Sequence, residues 1–396
     1  MVAAESSEQT LQGPEPVRHV YLHVPFCSSR CSYCDFPVTA VERAPTEAWL
    51  AALSSELKMI ESEGWLRLGG YLETVYVGGG TPSFLGPDAM ESVRRLLGPE
   101  RLASSELEWT VEANPDSFSN TLAKSWSRAG VNRVSMGVQS FQPSVLRFLN
   151  RLHGPNEARA AIHHAREAGI QNLNLDLMFG LPPVPERDWK KDLDEALALA
   201  VPHLSLYGLS VEKGTPLAGE VDSGAVPRPS EEQYREEFLM ASERLALEGY
   251  THYEVSNFAR AGYESRHNRA YWGMRPYLGL GSGAHSFGPP RRKWNVREWA
   301  AYQRTLEKGI PPRGGEEELM AGAVGLENLW LGLRTDQGVG TDGWGEEALD
   351  LKTSWVSSGY ATHESGTLRL TPEGWLLLDH LVVELDRALN RKRGTG

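Results

Sequence analysis

Between residues 18 and 211, short runs of β-branched, aromatic and aliphatic residues alternate with longer stretches in which apolar residues recur every three or four positions. Six runs read as strands: "VRHVYLHV" (18–25), "LETVYVGG" (72–79), "ELEWTVEA" (106–113), "VNRVSMGV" (131–138), "QNLNLDLMFG" (171–180) and "HLSLYGLSV" (203–211). The intervening "TEAWLAALSSELKMIE", "NTLAKSWSRAG" and "NEARAAIHHAREAG" read as helices, the last two ending at Gly, the usual helix stop. This alternation predicts βα units around a parallel sheet. Six units are too few for a closed eight-stranded barrel and predict an α/β fold built on an open, partial (β/α)6 barrel.

The rhythm changes after residue 212. "EKGTPLAGEVDSGAVPRPS" reads as a loop, "EEQYREEFLMASERLALEG" as a helix, and residues 262–289 form a Gly- and aromatic-rich region with little periodicity. From about residue 315 the pattern "EELMAGAVGLENLWLGLR" and the closing "SGTLRLTPEGWLLLDHLVVELDRAL" predict helices around a short strand, a small winged-helix-like α+β domain. The expected organisation is a leader at 1–17, the barrel at 18–225, an extension at 226–312 and the C-terminal domain at 313–390.

In a barrel of βα units, functional groups belong on the loops that follow the strand C-termini. Here those loops carry three cysteines, "GGGTP", "EANPD", "VQSF", "DLMFGLP" and "YGLS". Composition narrows what they serve. The net charge of −12 lacks the basic surface that nucleic acid requires, so no nucleic-acid partner is expected. No run of about 18 apolar residues predicts a membrane span, and the first residues lack the pattern of a secretory signal. Three clustered thiols suit a reducing compartment, and a cytoplasmic location is expected.

All three cysteines, Cys27, Cys31 and Cys34, lie within "CSSRCSYC". Structural zinc wants four ligands, with His23 as the nearest candidate fourth. A redox pair would use only Cys31 and Cys34, and a ferredoxin-type cluster would want a fourth thiolate. Three thiolates on a cubane instead leave one iron open to an exogenous ligand.

The C-x3-C-x2-C spacing after a first strand, with the loops of the other five, resembles the radical S-adenosylmethionine family. The resemblance implies a 4Fe-4S cluster on Cys27, Cys31 and Cys34, with S-adenosylmethionine chelating the fourth iron and receiving an electron at its sulfonium. It also implies that Gly79, Gly80 and Thr81 contact the methionine moiety, with Tyr21 and the backbone around Tyr33 nearby. Glu112, Gln139, Arg151 and Asp176 then complete the cofactor shell, as in coproporphyrinogen-oxidase-like members, with Arg151 near the cofactor carboxylate.

Within that branch the sequence is similar to two neighbours over residues 18–385. Oxygen-independent coproporphyrinogen III oxidases carry a further cysteine two residues beyond the third, where this chain has Phe36. The "CDF" ending, "HNRAYW" (267–272) and "YLGLGSGAHSF" instead resemble the HemW-type haem chaperones. That resemblance implies haem as a ligand with His267 as its axial candidate, Arg266 and Arg269 near the propionates, and acceptor haemoproteins as partners. It implies an electron donor such as flavodoxin or ferredoxin and leaves room for peripheral contact with membrane-bound acceptors. Without the resemblance, the residues favour a surface or capping role for His267, since a single histidine with no second ligand is weak evidence for a metal site. Porphyrin decarboxylation and a zinc-stabilised binding module stay as alternatives.

Overall fold

A computed structural model describes residues 16–183 and 187–391. Most of the leader expected at 1–17 therefore lies outside the described residues. The six predicted strands form β1 (His19–Val24), β4 (Thr74–Gly79), β5 (Glu108–Ala113), β6 (Arg133–Gln139), β7 (Asn172–Phe179) and β8 (His203–Gly208), all parallel and adjacent in that order. Two short strands in the cysteine loop, β2 (Phe26–Cys27) and β3 (Thr39–Ala40), pair with each other.

Each strand alternates between two chemistries. On β1, Val20, Leu22 and Val24 are buried in the apolar layer with Trp49 and Leu53 of the helix Thr46–Glu63. The intervening His19, Tyr21 and His23 meet Thr74, Tyr76 and one another on the opposite face. The same period of two brings Glu112, Ser135, Asn174, Asp176 and His203 to that face. Parallel strands buried on both sides are usually apolar throughout. Here the inner face is polar and largely hydrogen-bonded, as low-dielectric burial demands.

Helices cover the outside. The helix Asn120–Ala129 shows why the sequence starts and stops it there: the Ser119 side chain accepts from the Leu122 N–H, and Gly130 takes φ 105° at the other end.

The sheet does not stop at six strands. The segment "THYEVSNFA" makes the hairpin β9 (Thr251–Glu254) and β10 (Asn257–Ala259), which pairs antiparallel with β8. At the other edge β11 (Tyr277–Leu280) lies parallel to β1, followed outward by β12 (His285–Gly288), β13 (Arg291–Asn295) and β14 (Arg313–Glu318). The aperiodic-looking 262–289 region thus supplies two strands of a twelve-stranded sheet. Its outermost strands, β14 and β9, are not paired with each other, so the barrel stays open. The stretch read as a loop at 212–230 holds a helix, Pro216–Asp222, whose start is fixed by the Thr215 side chain and by proline in the first turn.

The C-terminal residues fold into helices around a small three-stranded antiparallel sheet of β15 (Val339–Gly340), β16 (Ala361–Glu364) and β17 (Thr367–Leu370), while β14, at the start of the expected 313–390 domain, belongs to the large sheet. Among the described residues no helix is long and apolar enough to cross a membrane.

Candidate active site and its cysteine loop

At the C-terminal ends of β1 and β4–β8 a cavity of about 410 Å³ gathers Cys27, Cys31, Tyr33, Cys34, Gly79, Gly80, Thr81, Glu112, Gln139, Arg151 and Asp176. Of the expected site residues only Tyr21 and His267 lie off its wall. The cysteine loop is pinned at several points. Ser32 donates its hydroxyl to the Phe148 carbonyl, the Leu217 N–H donates to the Ser32 carbonyl, and Asn150 Nδ2 donates to the Arg30 carbonyl at 2.8 Å. Tyr33 packs against the apolar cluster of Val145, Leu149, Met178 and Leu217.

The loop after β4 must lie close beneath the cysteines. A Cβ on Gly80 would come within 2.6 Å of the Phe26 carbonyl oxygen and 2.7 Å of that of Val24. Gly79 has φ 108°, and a Cβ there would run into the His23 ring. Only glycine fits both positions.

A hydrogen-bonded relay joins opposite walls. Arg151 Nη2 donates to Asn114 Oδ1 at 2.7 Å and to the Gly137 carbonyl at 2.6 Å, while Nη1 reaches Cys31 Sγ at 3.4 Å. Asn114 Nδ2 donates to Thr81 Oγ1, which donates to Cys27 Sγ at 3.3 Å. Arg151 Nε is buried and has no partner among the described residues. Burial raises the Cys27 thiol to about 11, and it also pushes Cys34 upward.

The floor is acidic. Glu112 accepts from the Tyr76 hydroxyl at 2.8 Å and the Gly79 N–H at 2.9 Å, yet burial, with the Asp176 charge second, raises it to about 7. Asp176, bonded to Ser135 and Asn174, is raised chiefly by burial as well. Gln139 sits where β6 shifts register and holds φ 66°, a conformation that costs a non-glycine residue and recurs at functional sites.

These features fit the cofactors that the resemblance implies. Three thiols share one wall, a buried guanidinium N–H lacks an acceptor, and the glycine floor admits a close ligand. Among the described residues no three metal-ligating side chains are gathered around a single-ion site.

Residues 21–196 match the Radical SAM superfamily. Along its length the chain is similar to the "Heme chaperone HemW" of Mycobacterium tuberculosis, 36% identical over 92% of this chain and 94% of the relative. The chain belongs to that family. The protein of the same name from Bacillus subtilis is 35% identical over 91% of this chain and 97% of its own. The mitochondrial radical S-adenosyl methionine domain-containing protein 1 of Bos taurus is 36% identical over 91% and 82%. In fold the chain is similar to the coproporphyrinogen III oxidase HemN of Escherichia coli, with TM-score 0.79 and 22% identity over 95% of this chain and 91% of that one.

Tyr21 stands behind the cavity, its hydroxyl 3.0 Å from His23 Nδ1 and its ring beside Tyr76. His267 is more distant. Its helix, Arg266–Trp272, plugs the opposite end of the barrel, where the Glu108 carboxylate at the start of β5 accepts from the N–H groups of Arg266 and His267. The ring is 1% exposed, with Nδ1 2.6 Å from Thr74 Oγ1 and Nε2 2.8 Å from the Tyr271 hydroxyl. Burial lowers it to about 3. As placed, it presents no free lone pair to an iron, which departs from the expected axial role. Arg269 is paired with Asp336, and Arg266 bonds the Glu106 carbonyl.

Asn114 and Tyr207 also line the cavity, although no sequence motif marks either of them. Both stood in quoted loops, "EANPD" and "YGLS". Nothing local separates them from ordinary rim residues.

Proposed function

We propose that this chain is a cytoplasmic haem chaperone that holds a 4Fe-4S cluster and exchangeable S-adenosylmethionine and delivers haem to acceptor haemoproteins. The observation that carries the reading is the end-to-end similarity to proteins named heme chaperones. Phe36 supports it: 59% exposed, it lines the cysteine cavity where the oxidase pattern would place another thiol.

In this reading Cys27, Cys31 and Cys34 hold the cluster as thiolates. When bound and reduced, the cluster supplies an electron to the sulfonium. Arg151 offers its unpartnered N–H to the cofactor carboxylate, and Glu112 and Asp176 balance positive charge on the ligand. Gly79 and Gly80 let the backbone approach, while Asn114 and Thr81 orient Arg151 and Cys27. Reduction draws on a donor of flavodoxin or ferredoxin type.

The test is anaerobic incubation of the cluster-loaded chain with coproporphyrinogen III, reductant and S-adenosylmethionine. The expected result is unchanged porphyrinogen. Accumulation of protoporphyrinogen would replace the chaperone reading with the oxidase one.

A further inference from the structure

Behind Asp176 a second line of hydrogen bonds runs through the barrel interior, away from the cysteines. Asn174 Nδ2 donates to Asp176 Oδ1 at 2.7 Å and to Ser135 Oγ at 2.6 Å, and Ser135 donates to the same carboxylate at 3.3 Å. Asn174 Oδ1 faces the other way, 2.6 Å from His203 Nδ1, and accepts the Ser205 hydroxyl at 3.1 Å. His203 Nε2 lies 2.8 Å from the Tyr253 hydroxyl, whose oxygen accepts the Ser265 N–H at 3.1 Å. Ser265 is the N-cap of the helix Arg266–Trp272. The pairing of β7 with β8 builds the line, because it sets Asn174 opposite His203 and Asp176 opposite Ser205.

The chemistry of the end groups fixes the direction of every bond between them. An ionised Asp176 can only accept, so the Asn174 amide turns its nitrogen to the carboxylate and its oxygen to His203. His203 Nδ1 must then carry the ring proton, which leaves Nε2 to accept from the Tyr253 hydroxyl. Each link therefore donates towards Asp176. Burial, with the Arg133 charge second, holds His203 well below the usual imidazole range, in the neutral form that this order requires. Asn174, His203, Tyr253 and Ser265 are all buried, and an unmade bond in such an interior is costly.

We propose that His203 is a positioning residue for S-adenosylmethionine binding: anchored by Tyr253, it fixes the Asn174 amide, and the amide holds the Asp176 carboxylate ready for the ligand. The inference rests on the reading of Asp176 as part of the cofactor shell. His203 does not line the cavity and acts only through Asp176. A carboxylate held from behind by fixed donors keeps its remaining lone pairs for the ligand and need not reorganise when the ligand arrives.

The experiment measures S-adenosylmethionine affinity of the full, cluster-reconstituted chain by equilibrium dialysis, with urea unfolding and iron content followed for each variant. His203→Leu removes both ring nitrogens and should weaken binding about fivefold, the equilibrium ratio of one ordinary hydrogen bond. His203→Asn keeps a donor near the Nδ1 position and should recover most of that loss. Both variants forfeit the Tyr253 bond and should lose stability, so a merely structural role would not separate their affinities. Adding His203→Leu to Asp176→Asn should cost no further affinity, because the target of the line is already gone. Tyr253→Phe, which removes one oxygen without emptying the core, should also weaken binding and serves if His203→Leu does not fold. Parental affinity in His203→Leu or in Tyr253→Phe, no recovery in His203→Asn, or additive losses in the double variant would overturn the role while leaving the cofactor reading intact. If the unaltered chain binds no S-adenosylmethionine, both fall together.

Discussion

The Tyr76 hydroxyl donates to Glu112 Oε1 at 2.8 Å, while the same ring stacks on His267 at 5.2 Å, so one side chain touches both the cysteine cavity and the plug at the far end of the barrel. Removing that hydroxyl leaves Glu112 with one fewer donor in a low-dielectric site. Hydrogen bonds to charged groups contribute about 1.5–3 kcal/mol, so Tyr76→Phe should weaken S-adenosylmethionine binding by about tenfold or more. Equilibrium dialysis against the cluster-loaded protein measures this, with iron content as the control.

Glu112 also predicts a pH profile. Raised to about 7, it is mostly protonated at pH 6 in the empty cavity, and a cationic ligand requires the carboxylate. Affinity for S-adenosylmethionine should therefore rise between pH 6 and pH 8, and Glu112→Gln should flatten that rise. The stability effect has the opposite sign. The folded state holds this proton more tightly than the unfolded chain, so the contribution is present below the unfolded value and is lost as pH rises through about 7. Urea unfolding of the ligand-free chain should find Glu112→Gln more stable than the parent at pH 8, with the difference shrinking at pH 5.

Gly80→Ala should cost S-adenosylmethionine binding more than it costs the fold. The added methyl meets two backbone carbonyls, of Val24 and Phe26, so the cysteine loop must shift as a whole. Isothermal titration should show no measurable cofactor binding while circular dichroism retains the α/β signature. Binding at parental strength would contradict the close approach described for this loop.

His267→Ala should be a stability variant. It leaves the Tyr271 hydroxyl without its partner, leaves Thr74 with His19 alone and opens a void beneath Tyr76. Orphaned buried polar groups cost about 1–3 kcal/mol each and large core truncations a similar amount, so a loss of about 2–4 kcal/mol in urea unfolding is expected.

The cysteine loop and the six strand ends could be read from sequence because their signals are local: a thiol spacing, a period of two, a glycine run. The plug could be read only in part. His267, Ala270 and Tyr271 stand at i, i+3 and i+4, which marks one helix face, but nothing in the sequence says that this face enters the barrel. That depends on Thr74 and Glu108, more than 150 residues away. Strand β11 was hidden for the same reason. Four residues, "YLGL", become a strand because the edge of β1, far earlier in the chain, offers them a partner. Asn114 owes its importance to Arg151 and Thr81, which only the fold brings to it.

The most direct test of the account is the stoichiometry of haem binding by the anaerobically purified, cluster-reconstituted chain, read from the Soret band as haemin is added. The account predicts a shifted band that saturates at one haem per chain, with the iron and sulfide of the cluster intact. A linear rise with the spectrum of free haemin throughout would contradict it.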